Sequence, residues 1–192
     1  ETGGQSTLDG LQNFLKDMAD NGGMPAQDDK SAFKVGGNLA TTKGAVVFRN
    51  EMLELIQYTP VTDEVYETPV LFVPSMINKY YVLDLAPGRS MFEYALSQGI
   101  QVFAMSWKNP SAAESGWGID NYLEQILNAC AAVREITGSP QVHLAAVCAA
   151  GMLISSVAGF LATRGDGQVR SLTTIVTGLD NSVEDTKLSI FT

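Results

Sequence analysis

Short apolar segments alternate with helical patterns through most of this chain, and this alternation limits the folds that are open to it. Each apolar segment has the length of a buried strand, and each helical segment repeats apolar residues three and four positions apart. Apolar strands separated by helices form a mostly parallel sheet with helices on both faces. The predicted fold class is therefore α/β. The predicted strands are 70–73, 101–106, a segment that begins at Val142, and 172–177, and the predicted helices are 90–97, 119–136 and 149–162.

Two other elements precede these alternating segments. Apolar runs at 45–48 and 53–58, separated by Asn50 and Glu51, predict a hairpin. An N-terminal helix is predicted from apolar residues at helical spacing, and the pattern stops at two glycines. Its apolar residues are Leu8, Leu11, Phe14, Leu15 and Met18. We therefore expect an N-terminal helix with an extended lead-in over residues 1–44 and a partial α/β core over residues 45–192.

Cys148 follows the predicted strand at Val142 and directly precedes a predicted helix. That layout is typical of a nucleophile elbow, a sharp turn in which the residues two before and two after the nucleophile must be small. Ala146 and Ala150 meet that requirement. A thiol nucleophile indicates acyl transfer through a thioester. The alternative is an inert buried thiol, which is the interpretation we give to Cys130 inside the helix 119–136.

Composition excludes several classes of function. A net charge of −9 disfavours nucleic-acid binding, which depends on clustered Lys and Arg. Two cysteines without paired spacing and a single histidine predict neither a disulfide framework nor a metal site, and they fit a reducing, cytoplasmic setting. The apolar stretch 144–162 is rich in Ala and Gly and is interrupted by two serines, so no membrane span is expected.

The order of elements narrows the α/β class further. An opening hairpin followed by strand–helix units, with the nucleophile after the fifth strand, is the order of an α/β-hydrolase core. Only one helix and one strand follow Cys148, whereas this fold places its acid and its histidine after later strands. The sequence therefore predicts an α/β-hydrolase-like domain that is truncated after its sixth strand.

Several stretches of this chain carry a likeness to one known family: 73–85, 102–110, 133–138, the elbow, 171–173, and Leu179 with Asp180. Together they resemble the polyhydroxyalkanoate synthases, which polymerise 3-hydroxyacyl groups from coenzyme A thioesters. The likeness extends from about Leu11 to Asp185, and a set of separate matches is more specific than one short motif. By this resemblance the chain is the N-terminal half of a catalytic domain.

This chain departs from the family pattern at the elbow. The family has Gly-x-Cys-x-Gly-Gly, whereas alanine stands at 146 and 150 and only Gly151 matches. Each alanine adds a methyl group where the backbone approach is closest. The family's catalytic aspartate and histidine lie beyond residue 192, so neither is assigned here; Asp180 is interpreted as a strand-end or helix-cap residue.

The resemblance implies a mechanism with Cys148 as the nucleophile. It implies an oxyanion hole formed by the backbone N–H of Ala149 and a second N–H from the loop after the third strand, near Ser75 or Met76. The implied substrate is an (R)-3-hydroxyacyl-coenzyme A, the product is a polyester, and no separate cofactor or metal is required. The resemblance also implies a homodimer at the surface of polymer granules in the cytoplasm.

His143 is the only histidine, and its position argues against a role as the general base. It precedes Cys148 by five positions on a strand, which at about 3.3 Å per residue separates them by roughly 16 Å. We therefore expect these 192 residues alone to be inactive. Two alternatives remain open: a cysteine-dependent thioesterase or depolymerase of the same fold, and a non-catalytic truncated protein that binds granules or a full-length synthase.

Overall fold

The structure, a computed structural model, describes residues 2–27 and 29–179. Asp180, for which a strand-end or cap role was predicted, lies outside the described residues. Internal contacts divide the chain into two compact units, Glu1–Asn38 and Leu39–Thr192. Each unit is therefore described separately.

In its described residues, 2–27 and 29–38, the first unit contains one long helix, α1 (Gln5–Asp20), and one 3₁₀ turn, Lys30–Ala32. The helix ends where the Asn21 N–H donates to the Asp17 carbonyl and Gly22 takes a positive φ of 61°. This confirms the helix expected from the apolar spacing. All five apolar residues of that pattern are more than half exposed.

Within the described residues, the second unit contains a six-stranded sheet and a separate two-stranded ribbon. The sheet strands are β1 (Gly44–Arg49), β2 (Leu53–Tyr58), β3 (Val70–Val73), β6 (Val102–Trp107), β7 (Val142–Val147) and β8 (Val169–Ile175), and the ribbon strands are β4 (Asp84–Ala86) and β5 (Arg89–Ser90). The sheet has the strand order β1-β2-β6-β3-β7-β8. β1, β2 and β6 pair antiparallel, whereas β6, β3, β7 and β8 are parallel, so the sheet is mostly parallel, as expected.

Helices cover both faces of this sheet. Because side chains alternate between the faces of a strand, Leu71 and Val73 pack in the cluster that includes α3 (Ile119–Thr137) and α4 (Ala149–Thr163). Phe72, between them, packs on the other face with α2 (Met91–Ser97). Two apolar clusters on opposite faces are the reason that the central strands read as continuous apolar runs. The sequence-based prediction of an α/β fold with helices on both faces is confirmed.

The ends of the helices and strands lie within one or two residues of the predicted ends, except at the last strand. The Ser90 hydroxyl caps α2 by accepting from the Glu93 N–H at 3.0 Å, and Gly138, at φ 70°, ends α3. The last strand was predicted at 172–177 but spans Val169–Ile175. It ends early because Val176, at φ 51°, turns the chain out of the extended conformation. The ribbon β4–β5 was not predicted.

Membrane crossing needs a helix of about 20 apolar residues. Among the helices within residues 2–27 and 29–179, none combines that length with sufficient apolar character.

Replacement of Phe92 tests the packing of the apolar cluster beneath α2. It is 1% exposed and its ring centroid lies 4.8 Å from that of Tyr58 and 5.0 Å from that of Phe72. Phe92→Ala is expected to lower the free energy of unfolding by about 3–5 kcal/mol, because it leaves a cavity among packed rings. Tyr94→Ala, in the same helix but 67% exposed, is the matched control and is expected to change it by less than about 0.5 kcal/mol. Urea unfolding of both variants checks the prediction, and equal losses would contradict the packing described.

Candidate active site

Cys148 is the single residue between β7 and α4. Its backbone dihedral angles are φ 58° and ψ −133°, a combination that residues with a Cβ atom rarely adopt. Its side chain is exposed. A left-handed residue on a sharp strand-to-helix turn, with its side chain directed outward, is the geometry of a nucleophile elbow. The alternative of a buried, inert thiol therefore does not apply to Cys148.

Backbone hydrogen bonds hold Cys148 in this conformation. Its N–H donates to the carbonyl of Ile175, at the end of β8, at 2.9 Å. Its carbonyl accepts from the N–H of Gly151, in the first turn of α4, also at 2.9 Å. A residue in a sparsely populated backbone region costs about 1–3 kcal/mol and persists only when its surroundings fix it. The elbow is thus fixed by both the neighbouring strand and its own helix.

The three small residues around Cys148 have different steric roles. Ala146 and Ala150 are almost fully buried in the core cluster, so the chain accommodates a methyl group at both positions. A Cβ atom on Gly151 would lie 2.1 Å from Oγ1 and 2.8 Å from Cβ of Thr177. The turn therefore requires glycine at 151, while alanine fits where the family pattern has its other two glycines.

The predicted oxyanion donors lie at the same edge of the sheet as Cys148. β3 pairs parallel with β7, with Val73 opposite Ala146, so the loop after β3 leaves the sheet beside the elbow. Within the described residues, the N–H groups of Ala149, Ser75 and Met76 make no hydrogen bond. Unpaired N–H groups beside an exposed nucleophile can receive a developing negative charge. This edge thus presents a thiol together with three free N–H donors.

Hydrogen bonds and apolar packing hold the loop after β3 in place. The indole Nε1 of Trp107, at the end of β6, donates to the Pro74 carbonyl at 2.8 Å, and the Asn78 N–H donates to the Ser75 carbonyl at 3.0 Å. Met76 packs against the core cluster. The Ser75 hydroxyl is buried and has no hydrogen-bond partner in the described part of the chain. The contacts of Pro74, Ser75 and Met76 are thus made through carbonyls and side chains, which leaves the N–H groups of Ser75 and Met76 available.

Cys130, the other cysteine of the sequence, lies in a different environment from Cys148. It lies on α3, is fully buried in the core cluster, and has an apolar packing role. Burial raises the pKa of its thiol to about 12, because desolvation disfavours the thiolate. The two cysteines of this chain thus have opposite environments, as their sequence contexts indicated.

The His143 side chain forms a hydrogen bond with β8 and not with the elbow. It lies on β7, and its Nδ1 is hydrogen-bonded at 2.7 Å to the hydroxyl of Ser171 on β8. His143 is thus a strand residue whose side chain has a local partner. In the described ranges, no group of three or more His, Cys, Asp or Glu side chains is close enough to hold a metal ion.

Thr177 contacts the elbow, and the sequence analysis assigned it no role. Its Oγ1 lies 3.2 Å from the Cys148 carbonyl and 3.3 Å from the Ile175 carbonyl. The apolar pattern predicted Thr177 as the last residue of the strand 172–177. No sequence signal indicates the turn at Val176 that places Thr177 over α4.

Comparisons with known proteins agree on one family. The family model described as "Poly-beta-hydroxybutyrate polymerase (PhaC) N-terminus" matches residues 1–95. Poly(3-hydroxyalkanoate) polymerase 1 of Ectopseudomonas oleovorans is 44% identical over 191 residues, which is 100% of this chain and 34% of that protein. The poly(3-hydroxyalkanoate) polymerase subunit PhaC of Cupriavidus necator is 41% identical over 181 residues, 94% of this chain and 30% of that protein. The chain spans about a third of the length of these relatives.

Solved structures support the fold. A Staphylococcus aureus protein described as an esterase superposes with a TM-score of 0.60 at 14% identity, covering 96% of this chain and 58% of that one. At this identity the likeness concerns the fold alone. It supports the α/β-hydrolase assignment made from the order of elements.

Two glycines of α4 test the steric requirement at the elbow. Gly151→Ala is expected to destabilise the chain by about 1–3 kcal/mol, because the added methyl group collides with Thr177. Gly159, in the same helix, has open space where a Cβ would lie, so Gly159→Ala is expected to stabilise it by about 0.5–1 kcal/mol. Chemical denaturation of the two variants measures the difference. Two variants of equal stability would mean that Thr177 does not occupy the space above Gly151.

Proposed function

Because this chain belongs to the poly(3-hydroxyalkanoate) polymerase family, we propose that it carries the nucleophile of a polymerase that joins (R)-3-hydroxyacyl groups taken from coenzyme A thioesters. The observation that carries the proposal is the exposed Cys148 thiol, held at φ 58° between β7 and α4. A cysteine in that setting is free to meet an acyl donor from solvent. Cys130, in contrast, is fully buried.

In the first proposed step, the Cys148 sulfur attacks the carbonyl carbon of the hydroxyacyl-coenzyme A. A sulfur–carbon bond to Cys148 forms, and the bond from that carbon to the sulfur of coenzyme A breaks. The coenzyme A thiolate takes up the proton that a general base removed from Cys148. One thioester replaces another, so this covalent step splits the reaction without a large change in energy.

The negative charge that develops on the acyl oxygen needs nearby donors. The free N–H of Ala149 is the first, because it follows the nucleophile directly. The free N–H groups of Ser75 and Met76 are the candidates for the second. The β3–β7 register supports these two candidates, because it brings the loop after β3 to the same edge of the sheet as Cys148.

In the second proposed step, the 3-hydroxyl group of another hydroxyacyl unit attacks the Cys148 thioester. An oxygen–carbon bond forms, the sulfur–carbon bond breaks, and the hydroxyl proton passes to a base, which leaves an ester and a chain longer by one unit. His143 is unsuited to this role because it is bonded to Ser171 and lies five residues before the elbow on β7. We therefore assign the base and the acid to a histidine and an aspartate outside these 192 residues.

Family membership also suggests where the enzyme works. The proposal places it as a homodimer in the cytoplasm, at the surface of granules of its polyester product. Since the substrate itself carries the activated thioester, the proposed chemistry uses no separate cofactor.

Replacement of the nucleophile tests the proposed function. In the intact polymerase, with the C-terminal part that the relatives possess, Cys148→Ala is expected to lower kcat by about 10⁴-fold or more, because the covalent intermediate cannot form. Release of coenzyme A from (R)-3-hydroxybutyryl-coenzyme A is the measurement. Cys130→Ala is the matched control and is expected to retain kcat, since that side chain packs in the core.

Thiol labelling measures the accessibility of the two cysteines without relying on enzyme activity. Trypsin separates the cysteines, since residues 135–164 contain only Cys148 and residues 109–134 only Cys130. Iodoacetamide at about pH 8 is expected to modify the first peptide and to spare the second until the chain is unfolded. A Cys148→Ala variant that still forms polymer at the normal rate would refute the assigned nucleophile.

His143 is the only histidine of the sequence and is unsuited as the base, which gives a second prediction. Expressed alone, the 192 residues are expected to release no coenzyme A above background, because the proposed base for Cys148 and for the attacking hydroxyl lies outside them. Addition of the C-terminal portion of a related polymerase is expected to restore turnover. Acylation of the isolated chain at a normal rate would show that the base lies within it.

A further inference from the structure

The segment after β8 bends sharply at the elbow. Val176 has φ 51°, which is uncommon for any residue with a side chain and unfavourable for a β-branched one. Its own side chain is 85% exposed, so packing of that side chain does not explain the bend. The consequence of the bend is the position of the next residue, Thr177.

Thr177 contacts the peptide group that joins Cys148 to Ala149. Its hydroxyl lies 3.2 Å from the Cys148 carbonyl oxygen, which also accepts from the Gly151 N–H at 2.9 Å. A trans peptide group is planar, with its C=O and N–H pointing in opposite directions. Fixing the Cys148 carbonyl therefore fixes the direction of the Ala149 N–H, which has no partner in the described residues.

The steric fit points to the same contact. Thr177 fills the space where a Cβ on residue 151 would lie, with Oγ1 2.1 Å and Cγ2 2.5 Å from that position. A glycine at 151 is thus what allows the hydroxyl to reach the elbow carbonyl. The hydroxyl also lies 3.3 Å from the Ile175 carbonyl, which accepts the Cys148 N–H. The Thr177 hydroxyl therefore contacts both the Cys148 carbonyl and the Ile175 carbonyl that accepts the Cys148 N–H.

We infer that Thr177 is a positioning residue that aims the Ala149 N–H at the acyl oxygen by anchoring the Cys148 carbonyl. The inference rests on the proposed function, because it concerns the oxyanion donor of that reaction. Removal of a complete oxyanion donor costs about 10²–10³-fold in kcat. Loss of the anchor leaves the donor present but less well aimed, so a smaller loss is expected.

The test compares three variants of the intact polymerase. Thr177→Val keeps the shape and removes the hydroxyl, and it is expected to lower kcat by about tenfold with KM little changed, since the donor acts on the transition state. Thr177→Ser keeps the hydroxyl and is expected to recover most of that loss. Thr174→Val makes the same replacement elsewhere on β8, at an exposed position, and is expected to retain kcat.

Iodoacetamide labelling separates positioning of the amide from damage to the elbow. In Thr177→Val, Cys148 is expected to be labelled as fast as in the unmodified protein and Cys130 to stay protected. Parallel loss of kcat and of Cys148 labelling would overturn the inference, because Thr177 would then support the thiol rather than the amide. If Thr177→Val exposes Cys130, Thr177→Ala replaces it in the comparison with Thr177→Ser.

The Cys148→Ala variant distinguishes failure of the proposed function from failure of the inference about Thr177. If Cys148→Ala retains activity, the proposed function fails. If Cys148→Ala is inactive while Thr177→Val has normal kcat, or while Thr177→Ser is as impaired as Thr177→Val, the inference about Thr177 fails alone. A selective loss in Thr177→Val with recovery in Thr177→Ser supports it.

Discussion

The parallel pairing of β7 with β3 on one side and with β8 on the other is the constraint on which the site depends. This register sets Val73 opposite Ala146 and Ile175 opposite Val147. Parallel strands end at the same edge of a sheet, so three separate chain segments meet there: the loop after β3, the elbow, and the turn after β8. A slip of one residue would exchange the two faces of a strand, and both faces of β3 and β7 are packed here. The buried clusters thus fix the positions of the catalytic atoms that we propose.

The elbow illustrates how a stable scaffold holds a strained residue. The cost of the Cys148 conformation is about 1–3 kcal/mol, and an intramolecular hydrogen bond contributes about 0.5–1.5 kcal/mol. The bonds to Ile175 and from Gly151 are therefore of the right size to offset it. Gly151 belongs to α4, which buries apolar side chains in the core, and Ile175 belongs to β8, which is held by its backbone pairing with β7. The exposed thiol is therefore supported by helix packing and strand pairing in which its own side chain takes no part.

Much of the fold follows from local sequence signals, whereas the details of the site depend on tertiary contacts. The alternation of strands and helices, the cap at Ser90 and the stop at Gly138 are encoded within a few residues of where they act. The ribbon β4–β5 is too short to produce a periodic pattern, and the Val176 turn has no glycine to mark it. The position of Cys148 was recognisable because strand, small residues and helix are adjacent in sequence. Thr177 was not, since its partner is 29 residues away and is reached only through the β7–β8 register.

The alanines at 146 and 150 show which part of a glycine-rich elbow is sterically required. Residue 151 faces Thr177 from the turn after β8, and no side chain fits between them. Residues 146 and 150 face the core instead, where a methyl group adds buried apolar area worth about 0.8 kcal/mol. An alanine at 150 also favours the first turn of α4 over the flexible chain that glycine permits. This elbow therefore keeps the one glycine that allows Thr177 to approach, and alanine at the other two positions adds packing and a stiffer turn.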